Sequence, residues 1–277
     1  MNIFHTCYYI NLNRSKDRRE YMEKTFSNLH RVEGVDGRNL NIEKSVLKRC
    51  KMSVFQIGCL HSHFKAIKTA YDNGDEEALI MEDDIHIDFI DKWKKNITEI
   101  VNDKPEDADC IQLHCSNLKE IKKMLKKCNH YNEWKKRNWS TGCYYITRKG
   151  MNEILKFGLN YIPNYFCPAD HFIYSKIKTY NYTRPLFNLN ERDTTLIMEK
   201  KFRINKDKKL YRKYFANIDL LKRIRRNITF LQNKINDNMK IFKRTKNLRK
   251  KHQIKIKLVK LMQKFIINNK RFDRIIS

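Results

Sequence analysis

The sequence predicts an α/β fold: a mostly parallel sheet with flanking helices, followed by a basic helical tail. Three observations lead there. Ala78-Leu79-Ile80-Met81 is a short apolar run that passes straight into three carboxylates, Glu82-Asp83-Asp84, as a buried strand does where it reaches the ligand-binding end of an open α/β sheet. Strand-like and helix-like segments alternate from Thr6 to about Phe157. Charge separates the two ends of the chain: of the formal +28, +22 falls on residues 201–277, where 26 Lys+Arg face 4 Asp+Glu.

In chain order, Thr6-Cys7-Tyr8-Tyr9-Ile10-Asn11-Leu12 has strand composition, and Ser15 or Asp17 can cap a helix that runs to about Leu29. A second strand follows near His30 to Val35 and ends at the turn signal Asp36-Gly37. Leu60, Phe64, Ile67 and Tyr71 fall at helical spacing, so a helix precedes the acidic strand. Beyond the acids the pattern predicts a helix over 90–101, a strand over 109–114, a Lys-rich helix over 118–127, a strand over 142–147 and a helix over 149–157. The aromatic stretch from Leu159 to Asn190, broken by Pro163, Pro168 and Pro185, reads as irregular loops suited to holding an acceptor.

The tail has its own pattern. Leu221, Ile224, Ile228, Leu231, Ile235, Asn238 and Phe242 alternate spacings of three and four, a seam for self-association through 221–242 or for packing on the globular part. Ile254, Leu258, Leu261, Met262 and Phe265 form an apolar stripe with Lys257, Lys260 and Lys264 on other faces. Such a helix suits an anionic membrane surface or burial against a protein core. The charge is concentrated outside the globular part and no recognition module is visible, which argues against specific nucleic-acid binding.

No window offers the ~18 uninterrupted apolar residues of a membrane span, and Met1-Asn2-Ile3-Phe4-His5-Thr6 is unlike a secretory signal. The expected location is cytoplasmic, peripheral at a membrane if the tail binds lipid. Asn96-Ile97-Thr98 and Asn138-Trp139-Ser140 match the N-glycosylation pattern, which carries no weight outside the secretory path. The eight cysteines form no Cys-x-x-Cys pair, so their spacing indicates neither a zinc nor a redox motif, and reduced, mostly buried thiols are expected.

Three adjacent carboxylates repel one another unless something positive lies between them, and oxygen ligands suit a hard divalent cation, Mg²⁺ or Mn²⁺. A cation at the end of a strand would in turn hold a phosphate. The bland alternative is a solvated acidic turn.

Six blocks stand in order along the chain: Tyr9-Ile10-Asn11-Leu12 with Arg14, Asp17 and Arg18; Val35-Asp36-Gly37; Gly58-Cys59-Leu60-His61-Ser62-His63; Leu79-Ile80-Met81-Glu82-Asp83-Asp84; Gly142-Cys143-Tyr144-Tyr145-Ile146; and Pro168-Ala169-Asp170. Together, and in this order, they resemble glycosyltransferase family 25. The resemblance implies a GT-A type, Rossmann-like domain over residues 1–200, with residues 201–277 as a basic tail outside it. It also implies transfer of a hexose, galactose or glucose, from a UDP-sugar with inversion. The acceptor would be a saccharide, a lipid-linked glycan or hydroxylysine.

Cleaving a sugar from a diphosphate leaves charge on the β-phosphate, which a bridging divalent ion stabilises without proton transfer. If the backbone stays extended, Glu82 and Asp84 share a face, with Asp84 the direct metal ligand and Glu82 acting through water or on the donor ribose. Asp83 joins the donor-binding set. Inversion needs a base on the acceptor hydroxyl, and Asp170 is the candidate. His171 stands where an acidic residue is common in relatives; it is a candidate metal ligand or alternative base, or else a helix cap. Arg14 and Arg18 could bind the diphosphate or the uracil edge, Asp36 and Gly37 could approach the uridine, and Ser62 and His63 could bind the diphosphate or support the acids. His61 and His63 lie about 200° apart on a helix, so one metal would not take both. The rival reading is a catalytically inactive relative, or a scaffold that binds anionic membrane or nucleic acid through its tail.

Overall fold

A computed structural model describes residues 3–125, 129–184, 186–189, 230–245 and 248–276. The chain divides into two compact units, Met1–Lys208 and Lys209–Ser277.

The first unit opens with strand β1 (Cys7–Asn11), whose five residues are all buried, and helix α1 (Lys16–Thr25), a polar helix that buries only Met22. β2 (Leu29–Glu33) lies parallel to β1 at the sheet edge, with Val32 inward. After α2 (Lys44–Cys50) comes α3 (Val54–Asp72), started by a capping box in which Ser53 and Gln56 satisfy each other's backbone N–H groups. β3 (Glu77–Glu82) follows and lies parallel to β1. The remaining elements are β4 (Ile85–His86), α4 (Ile97–Asn102), β5 (Cys110–Gln112), α5 (Leu118–Leu125), β6 (Tyr131–Glu133), β7 (Cys143–Thr147), α6 (Arg148–Leu155), α7 (Ala169–Lys176), β8 (Thr179–Tyr182) and β9 (Asn188–Leu189).

Seven strands form one sheet in the order β2-β1-β3-β7-β5-β8-β6, while β4 and β9 make a separate antiparallel pair. Five of the seven strands point the same way, as the sequence pattern suggested, and two are reversed: β7 runs antiparallel to both β3 and β5, and β6 antiparallel to β8. A strand covered on both faces is a near-continuous apolar run whichever way it points, so composition did not reveal the reversal. Both faces of this sheet are covered. Ala78, Ile80, Tyr144 and Ile146 pack with Leu60, Phe64 and Ile67 of α3 and Phe172 of α7, while Leu79, Met81, Cys143 and Tyr145 pack with Met22, Ile100 and Phe187.

The Leu159–Asn190 stretch holds α7, β8 and β9 rather than loops alone. Pro168 is the N-cap of α7, where the residue starts a helix instead of breaking one. Tyr131–Glu133 is likewise a strand without a sequence signal.

In the second unit, residues 230–244 are helical (α8) and Leu248–Ile276 form α9. Leu231 is buried and Ile235, Asn238 and Phe242 are half-buried between exposed neighbours, while Leu221, Ile224 and Ile228 lie outside the described residues. Asn238 donates its amide to the Lys234 carbonyl of its own helix. On α9, Ile254 and Leu258 are buried and Leu261 and Phe265 half-buried, but Met262, with Ile256, Val259 and Ile266, is exposed. Among the described residues, no helix is long and apolar enough to cross a membrane.

Candidate active site

The extended backbone ends at Glu82, and Asp83 and Asp84 form the turn into β4. The alternation expected of an extended Glu82-Asp83-Asp84 is therefore lost, and the carboxylates divide between two surroundings. Asp83 accepts one hydrogen bond from Arg18 Nη1 at 2.9 Å and another from Asn11 Nδ2 at 2.7 Å. Asp84, also buried, lies 4.0 Å from the same guanidinium. Glu82 faces elsewhere: Thr141 Oγ1 donates to its Oε1 at 2.7 Å, and His63 Nε2 stands 3.5 Å from that oxygen.

The arginines come from the segment after β1. Arg14 is ion-paired with Asp36, and Arg18 with Asp83. Desolvation lowers the pKa of Arg14, with repulsion from Arg38 and then Arg18 adding to it and the Asp83 charge opposing it. Burial raises the pKa of Asp83, with Arg18 and Asn11 offsetting part of the effect. That mouth carries both signs of charge at close range.

Ser62, Asp36 and Gly37 have mainly structural surroundings. Ser62 donates to the Gly58 carbonyl at 2.6 Å and accepts from Val35 N–H at 2.8 Å, tying the β2–α2 connection to α3. Asp36 also caps the short turn at Gly37–Asn39 by accepting from Arg38 N–H. A Cβ on Gly37 would lie 2.6 Å from the Val54 carbonyl oxygen, and one on Gly58 would lie 2.8 Å from the Val35 carbonyl oxygen. The two glycines let backbone cross backbone there.

His63 is buried, with Nδ1 3.2 Å from the Tyr144 hydroxyl and Nε2 toward Glu82. Burial opposes the charged form of Glu82, but His63 and the Thr141 hydroxyl outweigh it and the pKa is lowered. Cys59, one turn before His63, feels burial first and then Glu82 and Asp170, all of which raise its thiol pKa well above the usual value. His61 points away, with Nε2 3.3 Å from the Tyr161 carbonyl.

Asp170 sits in the first turn of α7 and accepts from the Ser140 and His171 backbone N–H groups at 2.9 and 2.8 Å. Ser140 has φ +115°, a strained value for a residue with a side chain, and every polar group it owns is engaged. Gln112 and Tyr174 donate to its carbonyl, and its hydroxyl meets Gly142 N–H and His114 Nδ1. The next residue, Thr141, holds Glu82. Asp170 and Glu82 are thereby joined through two consecutive residues of one loop. His171 turns to the 134–138 segment, with Nε2 2.9 Å from the Lys136 carbonyl and its ring edge-on to Trp134. The structure does not bring it to Glu82 and Asp84.

The sequence reading missed Ser140, Thr141, His114, Tyr144 and Asn11 as parts of this site. Thr141 adjoins a quoted block and Gly142 opens it, but nothing local marks the register that sets them beside β3. Asn138 of the glycosylation-like tripeptide is buried and bonded to Asn181.

Residues 4–173, more than half of the chain, match glycosyltransferase family 25, described as an LPS biosynthesis protein family. The chain belongs to this family. Procollagen galactosyltransferase 2 of Mus musculus is 32% identical to this family 25 member over a 129-residue alignment that covers 40% of the chain and 19% of the relative. The match thus spans about a fifth of that relative's length. The crystal structure of a glycosyltransferase involved in glycosylation of the major capsid of PBCV-1 is similar with a TM-score of 0.31 at 12% identity, covering 64% of this chain and 91% of that one. The family span takes in Arg14, Arg18, α3, the acidic turn, Asp170 and His171, and excludes β8, β9 and the tail.

Proposed function

We propose that this family 25 chain is an inverting, metal-dependent hexosyltransferase of GT-A type, moving galactose or glucose from a UDP-sugar to a glycan or glycoconjugate hydroxyl. The observation that carries the reading is the acidic turn at the carboxyl end of β3 set against Arg18. The residues fit a hard cation: two buried carboxylates share one guanidinium there, and their oxygens suit Mn²⁺ or Mg²⁺. Asp84 would hold the ion, since both Asp83 oxygens already accept hydrogen bonds. When bound, such an ion supplies positive charge to the leaving diphosphate. Arg14 and Arg18 add guanidinium forks for the phosphate oxygens, and Asp36 and Gly37 border the nucleoside side.

Asp170 is the base in this reading, taking the proton of the acceptor hydroxyl. Its two bonds to backbone N–H groups favour a second role, that of fixing strained Ser140 and through it the Thr141–Glu82 contact. His171 is assigned to holding the 134–138 segment. The acceptor is a saccharide, a lipid-linked glycan or hydroxylysine; the name of the mouse relative favours galactose as the donated sugar. Residues 1–200 form the transferase domain, and 201–277 hold it at an anionic membrane surface on the cytoplasmic side or self-associate.

A panel of UDP-sugars assayed for UDP release with Mn²⁺, Mg²⁺ or chelator tests the reading. One UDP-hexose should be turned over only with metal, and Asp84→Asn should nearly abolish release while leaving the circular dichroism spectrum unchanged. Release that persists undiminished in chelator and in Asp84→Asn would overturn the metal assignment.

A further inference from the structure

Cys59 and His63 stand four residues apart on α3, hence on one face of the helix, and both meet Glu82 at the end of β3. Cys59 Sγ, a His63 ring nitrogen and a Glu82 carboxylate oxygen all lie within 4.8 Å of one another. His63 Nε2 is buried and makes no hydrogen bond; its 3.5 Å separation from Glu82 Oε1 is too long for a good one. It is the right length for something else. Two ligands about 2.0–2.3 Å from a tetrahedral ion stand about 3.3–3.8 Å apart. We propose that Cys59, His63 and Glu82 form a zinc site, distinct from the hard-cation position at Asp84, in which the metal joins α3 to the carboxyl end of β3.

The chemistry of the three donors selects the ion. A thiolate, an imidazole and one carboxylate match Zn²⁺, with water in the fourth position, and do not suit Mg²⁺. The surrounding groups are those a zinc site uses to orient its ligands. His63 Nδ1 is 3.2 Å from the buried Tyr144 hydroxyl, which sets the ring so that Nε2 faces the ion. Thr141 holds Glu82. Binding takes up the thiolate form of Cys59 and releases its proton to solvent, so affinity should rise with pH. Cysteine spacing alone hid the site because its partners are a histidine one turn along and a strand-end glutamate, not a second cysteine.

The full chain, purified without chelator, should carry one equivalent of zinc by elemental analysis. Replacement by Co²⁺ should give a thiolate-to-cobalt charge-transfer band. Cys59→Ser should lose the band, and Tyr144→Phe should weaken Zn²⁺ binding by about 10–100-fold. Asp84→Asn should keep both zinc and band, so failure of the transferase reading and failure of this one are separable. If Cys59→Ser does not fold, Glu82→Gln supplies the comparison, with weakened Zn²⁺ binding and an altered cobalt spectrum expected. No band at saturating Co²⁺, a band unchanged in Cys59→Ser from another of the cysteines, or wild-type metal binding in Glu82→Gln would overturn the site.

Discussion

Acidification should weaken the fold through one buried imidazole. His114 lies under the Ser140 loop, and burial depresses its pKa from 6.5 to about 4, with the Glu82 charge opposing the shift. The local hydrogen bonds agree with a neutral ring. If Gly142 N–H donates to Ser140 Oγ, the hydroxyl proton is free to point at His114 Nδ1, which must then be the unprotonated nitrogen. Because the folded pKa is depressed, the unfolded chain binds the extra proton first. The stabilisation is complete above about pH 6.5 and is lost as pH falls toward 4. The gap corresponds to about 3 kcal/mol, at 1.36 kcal/mol per pKa unit. For a fold of 150–250 residues that is roughly 6–12 °C in melting temperature. Thermal melts of the full chain and of His114→Gln between pH 7 and 4 measure it: the variant should begin lower and fall by correspondingly less. Equal slopes, or a His114 NMR resonance that titrates near 6.5 in the folded protein, would refute the argument.

Three other outcomes are expected. Gly37→Ala places a methyl group 2.6 Å from the Val54 carbonyl oxygen and 2.8 Å from the Phe55 Cα, rigid backbone on both counts, and should cost about 3 kcal/mol or more by chemical denaturation, whereas Gly74→Ala, with φ +84° but open space, should cost roughly 1 kcal/mol. Asp170→Asn should lower kcat with little change in donor KM if the carboxylate is the base; a rise in donor KM together with a lower melting temperature would instead assign it to holding Ser140. The intact chain should sediment with anionic vesicles at low salt and be released at high salt, each basic residue near the surface contributing about 1 kcal/mol; binding insensitive to salt, or none, would end the membrane reading of residues 201–277.

The elements whose signals are local were legible. The acidic strand, the helix before it and the Gly37 turn all appear near their expected positions because apolar periodicity and a turn glycine act over a few residues. Arg18, expected to meet a diphosphate or the uracil edge, pairs with Asp83, a contact between distant segments that no local pattern announces. Long-range register was not legible. Ser140, Thr141 and His114 reach Glu82 because β7 inserts antiparallel between β3 and β5, and no pattern within 138–142 announces that pairing. The prolines of the 159–190 stretch pointed to loops, yet Pro168 begins a helix.

One acidic triplet therefore has two surroundings, and the reason is geometric. Had the backbone stayed extended past Glu82, Glu82 and Asp84 would have faced the same side and competed for one cation. The turn at Asp83-Asp84 instead directs two carboxylates at Arg18 and leaves Glu82 pointing toward α3 and the Thr141 loop. Three adjacent charges that would repel strongly on one face are relieved by partners of different kinds: a guanidinium for Asp83 and Asp84, and an imidazole and a hydroxyl for Glu82. The Glu82 side is also the side on which Asp170 acts, through Ser140 and Thr141. A change at Asp170 should therefore disturb Glu82 first, because Asp170 reaches it through Ser140 and Thr141, while Asp83 is held by Arg18 and Asn11.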